Sequence, residues 1–506
     1  MSITNLRRQL GHLNTADVAI LIVAILLRTV MLGSKPPHFD EGVNGWFVDQ
    51  MTANGYYHYD PTNYHGPLHF YILFLAQTLF GRHIEALRLP IVCISVVTVW
   101  LVLRFDRFLS RRACQLAALA MAISPAAVFY GRYAIHESFL VFFLILITFG
   151  LAGLWKYGTK EYLWATFCGA AGAVLTKETC VVHFACLFLA LVSLRLLKQL
   201  RPSADAAPIT KQQWTRTDLA LCCAVNIALV IFFYSGAMLD WSSLKGLTKA
   251  LHAWFKTGKE GHGHQKAWYY WLTLIGRYEW PVCLGMISAT LCFLPKTPRF
   301  LRYLLIYGAG CLTAYSIAHY KTPWCIISLI WPFFFSFGYL ADRLITSSAY
   351  VVPVAFGALL AASVSETIWL NFRDYTNPKE PYVYVQTLPD VFKLTKPLKQ
   401  LAASDPSYYH ITGNIIVASY HPLPWMLGDF TGIGYYDEEK VPSTMDADFL
   451  LVEPSRVEEV KKALHKSYFT EPLHLREAQD TLTLYLNART FQSIFPGRQP
   501  DLVGDL

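Results

Sequence analysis

The stretch TADVAILIVAILLRTVML, residues 15–32, leads within eight residues to two adjacent acids, Asp40 and Glu41. An apolar run of this length is close to the roughly 20 residues that a helix needs to cross a bilayer. Two neighbouring carboxylates just outside a bilayer repel one another, and such a pair is kept mainly where it serves chemistry or ligand binding. The stretch therefore predicts a membrane-spanning helix followed by a functional carboxylate pair.

The rest of the chain has the composition of a membrane protein. Of its 506 residues, 54% are hydrophobic and 15% are charged, whereas soluble domains carry about 25% charged residues. The net charge of +8 does not indicate a nucleic-acid partner, because the basic residues lie between hydrophobic segments, where membrane topology requires them. The eleven cysteines fall within or beside hydrophobic segments, so no disulfide framework is expected in the aqueous parts. We predict a polytopic all-α membrane protein.

The hydrophobic segments predict about eleven crossings, with the N-terminus in the cytoplasm. We interpret residues 66–81 as a helix at the outer interface, because a crossing there would place the arginines of residues 104–112 outside, against the positive-inside rule. An odd number of crossings puts the C-terminus outside. We expect a multi-pass protein of the inner or plasma membrane, because an outside domain without disulfides fits a bacterial or archaeal plasma membrane. The candidate spans are residues 15–32, 86–104, 113–129, 138–155, 162–176, 179–194, 218–237, 280–294, 302–319, 324–341 and 349–370.

Two domains are predicted, a transmembrane domain at 1–370 and a small extracytoplasmic α/β domain at 371–506. The first contains an outer loop at 33–85 and a long outer loop at 238–279. Beyond residue 371 the charge rises and the apolar runs shorten to strand length. The aromatic stretch 420–425 could contact a substrate, but a packed surface loop is the simpler interpretation. The elements predicted in the second domain are strands at 382–385, 415–418, 449–452 and 481–486 and helices at 388–402 and 456–465.

The ionisable clusters all fall on the predicted outer side. Arg132, Lys177 and Lys321 are cations at the depth of a lipid-linked phosphate, a group that Arg and Lys bind well. Asp40 and Glu41 supply a base for an acceptor hydroxyl, while the cations stabilise charge on a departing phosphate. This combination suits sugar transfer from a lipid phosphate. Candidate substrate contacts on the same side are His65, Tyr133, Glu137, Glu178, Glu279 and Trp324.

Structural roles compete with this interpretation. Lys321 could anchor a helix by snorkelling, Arg132 could pair with Glu137, and Glu178 could simply neutralise Lys177. The acidic pair is the feature least readily explained as scaffold.

The long outer loop carries a second kind of candidate. His262 and His264, with a carboxylate, could hold a divalent metal. The glycines between them more simply indicate a mobile loop over the site. No cofactor is required by the sequence, and a divalent metal stays an open alternative.

In their order along the chain, several motifs resemble those of the membrane glycosyltransferases with the C-type fold. This superfamily includes protein O-mannosyltransferases and the transferases that attach aminoarabinose to lipid A. The matching elements are Asp40-Glu41, His65-Gly66-Pro67-Leu68, Leu175-Thr176-Lys177 and Lys321-Thr322-Pro323-Trp324. A prokaryotic subgroup associated with flippase activity is the most similar, through Gly131-Arg132-Tyr133, His264 to Tyr270 and Tyr278-Glu279-Trp280-Pro281.

The resemblance implies an inverting glycosyltransferase with a polyprenyl-phosphate-linked sugar as donor and a lipid, glycan or protein as acceptor. It implies Asp40 as the base and Glu41 as its partner or as an acceptor-orienting group. It also implies that Arg132, Lys177 and Lys321 contact the donor phosphate. The first outer loop has no Asp-x-Asp motif, which disfavours a metal-dependent oligosaccharyltransferase.

Two other classes of function stay open. A flippase or transporter of lipid-linked sugars would use the same charges for binding alone, but transporters tend to place ionisable groups at the bilayer midplane and to show repeats. A non-catalytic scaffold for envelope assembly would use the C-terminal domain as its binding module. Loss of transfer on replacing Asp40 with Asn is expected only for the enzyme.

Overall fold

The computed structural model describes residues 13–63, 65–200, 212–260, 263–288, 290, 297–347, 350–437 and 442–503. The chain forms two compact units. The first combines Met1–Leu32 with Asn54–Asp374, and the second combines Gly33–Ala53 with Tyr375–Leu506. The start of the predicted first outer loop thus groups with the C-terminal residues, an arrangement that the predicted division of the chain does not contain.

Among the described residues up to 368, the chain is mainly helical. Their bounds, with α2 belonging to the second unit, are α1 Thr15–Thr29, α2 Phe39–Asn54, α3 Leu68–Phe80, α4 Ile84–Leu103, α5 Arg111–Ala122, α6 Pro125–Tyr130, α7 Glu137–Lys156, α8 Lys160–Thr176, α9 Cys180–Leu200, α10 Arg216–Tyr234, α11 Gly246–Glu260, α12 Tyr270–Tyr278, α13 Trp280–Ile287, α14 Arg299–Ile317, α15 Ile326–Ser347 and α16 Val351–Ile368.

Within the described residues, seven helical stretches are long and apolar enough to cross a membrane, and the protein is a polytopic all-α membrane protein. The stretch at Pro323–Thr346 is 89% buried and forms the centre of the first unit, whereas Arg216–Tyr234 is 17% buried and leaves its apolar side chains for lipid. The count of eleven crossings stays a prediction. The seven stretches are Ile84–Arg107, Glu137–Lys156, Cys180–Leu197, Arg216–Tyr234, Arg299–Ile317, Pro323–Thr346 and Val351–Arg373.

The predicted span at 113–129 is wrong as a single helix, because the chain breaks between α5 and α6. The Ser124 side chain accepts a hydrogen bond from the backbone N–H of Ala127 and so caps the start of a new helix. Pro125 then occupies the first turn, where its missing N–H costs nothing.

The second unit carries a five-stranded sheet with strand order β2-β1-β3-β5-β4. Strand β1 pairs in parallel with β2 and β3, and β5 pairs antiparallel with β3 and β4. The small C-terminal α/β domain is thereby confirmed. The strands are β1 Thr412–Ile416, β2 Gly432–Tyr436, β3 Phe449–Val452, β4 Tyr468–Leu473 and β5 Leu482–Asn487, and the further helices are α17 Phe392–Ser404, α18 Leu423–Met426, α19 Val457–Lys462 and α20 Ala488–Phe491.

The predicted strand at 382–385 is wrong. Tyr382 and Val383 are buried, but the segment is irregular, and Val385 adopts a φ of 53°, which a strand cannot accommodate. The segment is apolar because it is a buried loop. Strands β2 and β4 were not anticipated, and β2 contains two glycines, Gly432 and Gly434, which are poor strand formers.

Candidate functional site

The acidic pair lies in the first turn of α2, where its two members have different surroundings. The backbone N–H of His38 donates to Glu41 Oε2 at 2.9 Å, and the backbone N–H of Asp40 donates to His38 Nδ1 at 3.1 Å. This reciprocal pattern resembles a capping box, except that the histidine ring accepts from the second residue of the helix rather than the third. Glu41 is fully buried, so its carboxylate helps to form the helix N-terminus.

His38 joins this helix start to the C-terminal part of the same unit. Its Nε2 lies 2.7 Å from the carbonyl oxygen of Tyr384. Because Nδ1 accepts from Asp40, the proton of the neutral ring belongs on Nε2, which donates to that carbonyl. Burial lowers the pKa of His38, outweighing the opposing charge of Asp40. The ring therefore stays neutral and fixes α2 against residue 384.

Asp40 is the less buried member of the pair. The residue is half-buried, and its carboxylate accepts no hydrogen bond from any residue that the structure describes. A carboxylate in this state keeps its lone pairs available for a proton or for a substrate hydroxyl.

The aromatic loop 420–425 packs directly against α2. A Cβ on Gly42 would lie 2.3 Å from Pro422 Cα, and a Cβ on Gly45 would lie 2.4 Å from Trp425 Cδ1. Both positions of α2 require glycine because no larger residue fits this approach. The loop is thus the surface on which the acidic helix rests.

In the first unit, the α7–α8 hairpin brings Glu137 and Lys177 to the same end. Helix α7 begins at Glu137 and α8 ends one residue before Lys177. The Lys177 ammonium forms an ion pair and hydrogen bond with Glu137 Oε1, and both side chains are buried. Burial alone would lower the pKa of Lys177, but the charges of Glu137 and Glu178 raise it well above its ordinary value.

Two of the matching motifs meet beside this pair. The backbone N–H of Gly66 donates to the carbonyl oxygen of Thr176 at 3.1 Å, and His65 Nδ1 lies 2.9 Å from Glu178 Oε2. Gly66 is required at this contact because an added Cβ would lie 2.2 Å from the carbonyl oxygen of Leu175. The histidine-containing motif and the lysine-containing motif therefore form one local structure.

We expect Gly66→Ala to destabilise the first unit by about 1–3 kcal/mol, because the added methyl group overlaps backbone atoms that cannot move aside easily. Thermal unfolding in detergent measures this change. Gly357→Ala is the matched control, since a Cβ there meets nothing within 4 Å. Helix propensity predicts that the control is neutral or slightly stabilising. Equal unfolding temperatures for the two variants would contradict the packing described here.

Two further histidines, His69 and His136, complete this cluster. The rings of His65 and His136 have centroids 4.6 Å apart, and those of His69 and His136 are 4.1 Å apart. Burial lowers the pKa of His136 well below its usual value, and its Nε2 has no hydrogen-bond partner in the described part of the chain. The four-residue spacing of His65 and His69 is the one sequence signal that could have indicated part of this cluster.

Lys321 is a buried cation of a different kind. It is 2% exposed, and its ammonium donates to the carbonyl oxygens of Ala318 and Lys266, the latter at 3.2 Å. No carboxylate of a described residue forms an ion pair with it. Burial lowers the pKa of Lys321. An ammonium group has three donors, so Lys321 retains both a donor and an uncompensated charge.

Residues 264 and 265 of the predicted long outer loop pair with the backbone at Tyr320 and Lys321. The backbone N–H of Lys321 donates to the carbonyl oxygen of His264 at 3.0 Å, and Gln265 forms an antiparallel bridge with Tyr320. The ring of His264 packs edge-on against Tyr320. His264 is therefore placed as a packing residue of this bridge.

Four other candidates occupy structural positions. The Arg132 guanidinium donates to the carbonyl oxygens of Leu27 and Met31 at 2.9 and 3.0 Å, and burial lowers its pKa to about 10. The carboxylate of Glu279 accepts hydrogen bonds from the Ser124 hydroxyl and the Ala126 N–H, at the start of α6. Tyr133 is buried and stacks on a neighbouring tyrosine ring, and Trp324 is half-buried at the start of its span.

The structure thus brings together Glu137, Lys177, His65 and Glu178. Cys325, which follows Trp324, donates from its Sγ to Glu137 Oε1 at 3.9 Å. Asp40 and Glu41 belong to the second unit and Arg132, Lys177 and Lys321 to the first. His262 lies outside the described residues. Among the described residues, no group of three His, Cys, Asp or Glu side chains is arranged to hold a metal ion.

Known proteins provide the comparison that decides the fold. The crystal structure of ArnT from Cupriavidus metallidurans bound to undecaprenyl phosphate matches with a TM-score of 0.66, over 92% of this chain and 97% of that chain, at 16% identity. The chain has the C-type glycosyltransferase fold.

Other comparisons agree with this fold. Residues 64–210 match the family model described as dolichyl-phosphate-mannose-protein mannosyltransferase. The oligosaccharyltransferase AglB from Archaeoglobus fulgidus, in complex with an inhibitory peptide and a dolichol-phosphate, matches with a TM-score of 0.52 at 10% identity, covering 97% of this chain and 77% of that one. No curated protein matches the sequence significantly. Assignment of this C-type protein to the flippase-associated subgroup stays a prediction.

Proposed function

We propose that the protein is an inverting glycosyltransferase that moves a sugar from a polyprenyl-phosphate-linked donor to an acceptor hydroxyl on the outer side of the inner or plasma membrane. The C-type fold supports transferase chemistry, and two proteins with this fold are described as bound to undecaprenyl phosphate and dolichol-phosphate. The observation that carries the proposal is the asymmetry of the acidic pair. The Glu41 carboxylate accepts the His38 N–H at the start of α2, whereas the Asp40 carboxylate accepts no hydrogen bond from a described residue.

In the proposed reaction, the acceptor oxygen attacks the sugar C1 on the face opposite the phosphate. Asp40 takes the proton of the acceptor hydroxyl as the new C–O bond forms. The bond between C1 and the phosphate oxygen breaks, and its electron pair remains on the lipid phosphate. A lipid phosphate is a good leaving group, so no general acid is needed. Asp40 returns its proton to water after the product leaves.

Among the three cations, we assign Lys321 the main contact with the donor phosphate. It is buried, forms no ion pair with a described carboxylate and keeps one donor unused, so an anionic ligand would compensate its charge. The charge of Lys177 is already balanced by Glu137, and the guanidinium of Arg132 is directed to the end of α1. Phosphate contacts from these two residues remain part of the proposal as supporting charges.

We expect Lys321→Gln to weaken binding of a lipid-phosphate donor by about 1.5–3 kcal/mol, the value of a charge-assisted hydrogen bond. The amide retains some of the polar character but removes the charge. Binding of undecaprenyl phosphate to the purified protein in detergent measures the effect. Lys259→Gln, at an exposed position of α11, is the control. Unchanged affinity in Lys321→Gln would remove this residue from the donor site.

The proposed function is tested by transfer from radiolabelled polyprenyl-phosphate monosaccharides in detergent, with total membrane extract as acceptor. Label that moves into a new product establishes a transferase. If donor binding is demonstrated separately and no donor supports transfer, a lipid-linked sugar transporter or an assembly scaffold becomes the better description.

A further inference from the structure

Beside the acidic helix, the second unit holds a histidine that the proposed mechanism does not yet use. His421 lies in the aromatic loop 420–425, the loop against which α2 packs. Its ring meets the ring of Phe39 edge-on with centroids 5.4 Å apart, and Phe39 is the residue before Asp40. The charge of Asp40 raises the pKa of the His421 ring, against the larger effects of burial and of Arg476. Phe39 and His421, 382 residues apart in sequence, therefore contribute to one local environment.

Arg476 fixes this part of the loop. Its Nη1 donates to the carbonyl oxygen of His421 at 2.5 Å, and its Nη2 donates to the carbonyl oxygen and the hydroxyl of Ser419 at 2.5 and 2.8 Å. The same guanidinium lies 5.1 Å from the centre of the Phe39 ring. Because the side chain is buried and makes three hydrogen bonds, it holds the histidine backbone and the helix start together.

The His421 ring itself has spare hydrogen-bonding capacity. Nδ1 is buried without a partner among the described residues, and Nε2, which is not buried, also has none. An orphaned buried acceptor is cheaper than an orphaned buried N–H, so the neutral ring carries its proton on Nε2. Burial, reinforced by Arg476, lowers the pKa of His421 to about 4. The ring thus presents a neutral N–H donor at its accessible edge.

Two tyrosine rings lie in a row beside the His421 ring. The ring of Tyr420 lies 5.3 Å from that of His421 and 5.1 Å from that of Tyr435, centroid to centroid, and both tyrosines are half-buried. A row of partly exposed aromatic rings with one directed polar group is a common arrangement in sites for small polar ligands with an apolar face. A sugar ring, with one face of C–H groups and hydroxyls at its edge, has this chemistry.

We propose that His421, Tyr420 and Tyr435 form a carbohydrate acceptor subsite next to Asp40. The inference rests on the proposed transferase function and specifies its acceptor as a sugar hydroxyl. The acceptor sugar stacks on the tyrosines. His421 Nε2–H donates a hydrogen bond to the acceptor oxygen, and Asp40 removes the proton of that oxygen as it attacks C1 of the donor. The catalytic base and the acceptor subsite then both belong to the second unit.

A pair of conservative variants tests which ring nitrogen acts. The His421→Gln side chain places its amide near the position of Nε2, whereas the shorter His421→Asn side chain reaches only the position of Nδ1. We expect Asn to reduce the kcat/KM for acceptor by about 10- to 100-fold and Gln to restore much of it, with donor affinity unchanged in both. His465→Gln, an exposed histidine of the same unit, is the control. Equal activity of the Asn variant and the wild type would overturn the role of His421.

Direct binding separates this inference from the proposed function. Saturation-transfer NMR on the full-length protein with methyl glycosides as probes should detect sugar binding that His421→Asn and Tyr420→Leu weaken and His465→Gln does not. Binding of this kind without transfer would reject the enzyme and keep the sugar subsite. Transfer without it, or label released by protease from a protein product, would keep the enzyme and reject the carbohydrate acceptor.

Discussion

Asp40→Asn is expected to lower sugar transfer by about 10²- to 10⁴-fold, the range that a positioned general base contributes. Asn keeps the size of the side chain but cannot take a proton. Because the wild-type carboxylate accepts no hydrogen bond from described residues, its replacement should leave the thermal unfolding of the protein nearly unchanged. Transfer of label and the unfolding temperature are measured on the same preparation.

Two further variants sharpen this test. Glu458→Gln removes an exposed carboxylate elsewhere in the second unit and should keep wild-type transfer. Glu41→Ala should lower the unfolding temperature, because it removes the carboxylate that accepts from the His38 N–H at the helix start, an interaction of about 0.5–2 kcal/mol. If Asp40→Asn instead unfolds the protein or transfers sugar at the wild-type rate, Asp40 is not the base.

Breaking the Lys177–Glu137 pair is expected to have the largest effect on stability. Lys177→Met leaves the Glu137 carboxylate buried without its partner, and such a loss typically costs about 3–5 kcal/mol. Glu137→Leu should cost a similar amount by leaving the ammonium unpaired. The double variant should recover most of this loss, because an apolar pair of similar volume needs no compensation for charge. Unfolding in detergent gives the three free-energy changes.

The double-mutant cycle also separates structure from function. The double variant removes a charge that we place near the donor phosphate, so recovered stability with weakened donor binding would give the pair both roles. Arg456→Met, which breaks a partly exposed ion pair with Glu459, is the control and should have little effect. Additive losses from Lys177→Met and Glu137→Leu would show that the two side chains do not interact as the structure indicates.

Much of the fold could be predicted from the chain because hydrophobic length is a strong signal for membrane helices. Strand β3 agrees with its predicted bounds, 449–452, since a short apolar run bounded by polar residues has few alternatives. The break before α6 was missed because Ser124 and Pro125 lie inside an otherwise continuous apolar segment. Strand β2 was missed because its glycines weaken the local signal and its pairing with β1 supplies the missing stabilisation.

The site was less accessible to sequence reasoning. Residue type identified Lys177 and Glu178, but not that Glu137 pairs with the lysine while His65 meets Glu178. The different surroundings of Asp40 and Glu41 depend on the backbone geometry of a helix start. The neighbourhood of His421 depends on a contact that no local pattern encodes. Pairings between distant segments are decided by packing, and packing leaves little trace in a single sequence.

The place of α2 in the second unit has a consequence for biosynthesis. Gly42, which packs on the loop at Pro422, is made 380 residues before it. At about 5–20 residues per second, the ribosome needs on the order of 20–75 seconds to supply that partner. The acidic helix must therefore wait, without its packing surface, while nearly all of the hydrophobic helices are synthesised. A nascent chain released before residue 422 would carry Asp40 without the loop on which its helix packs, so the surroundings of the proposed base form only after that loop has been made.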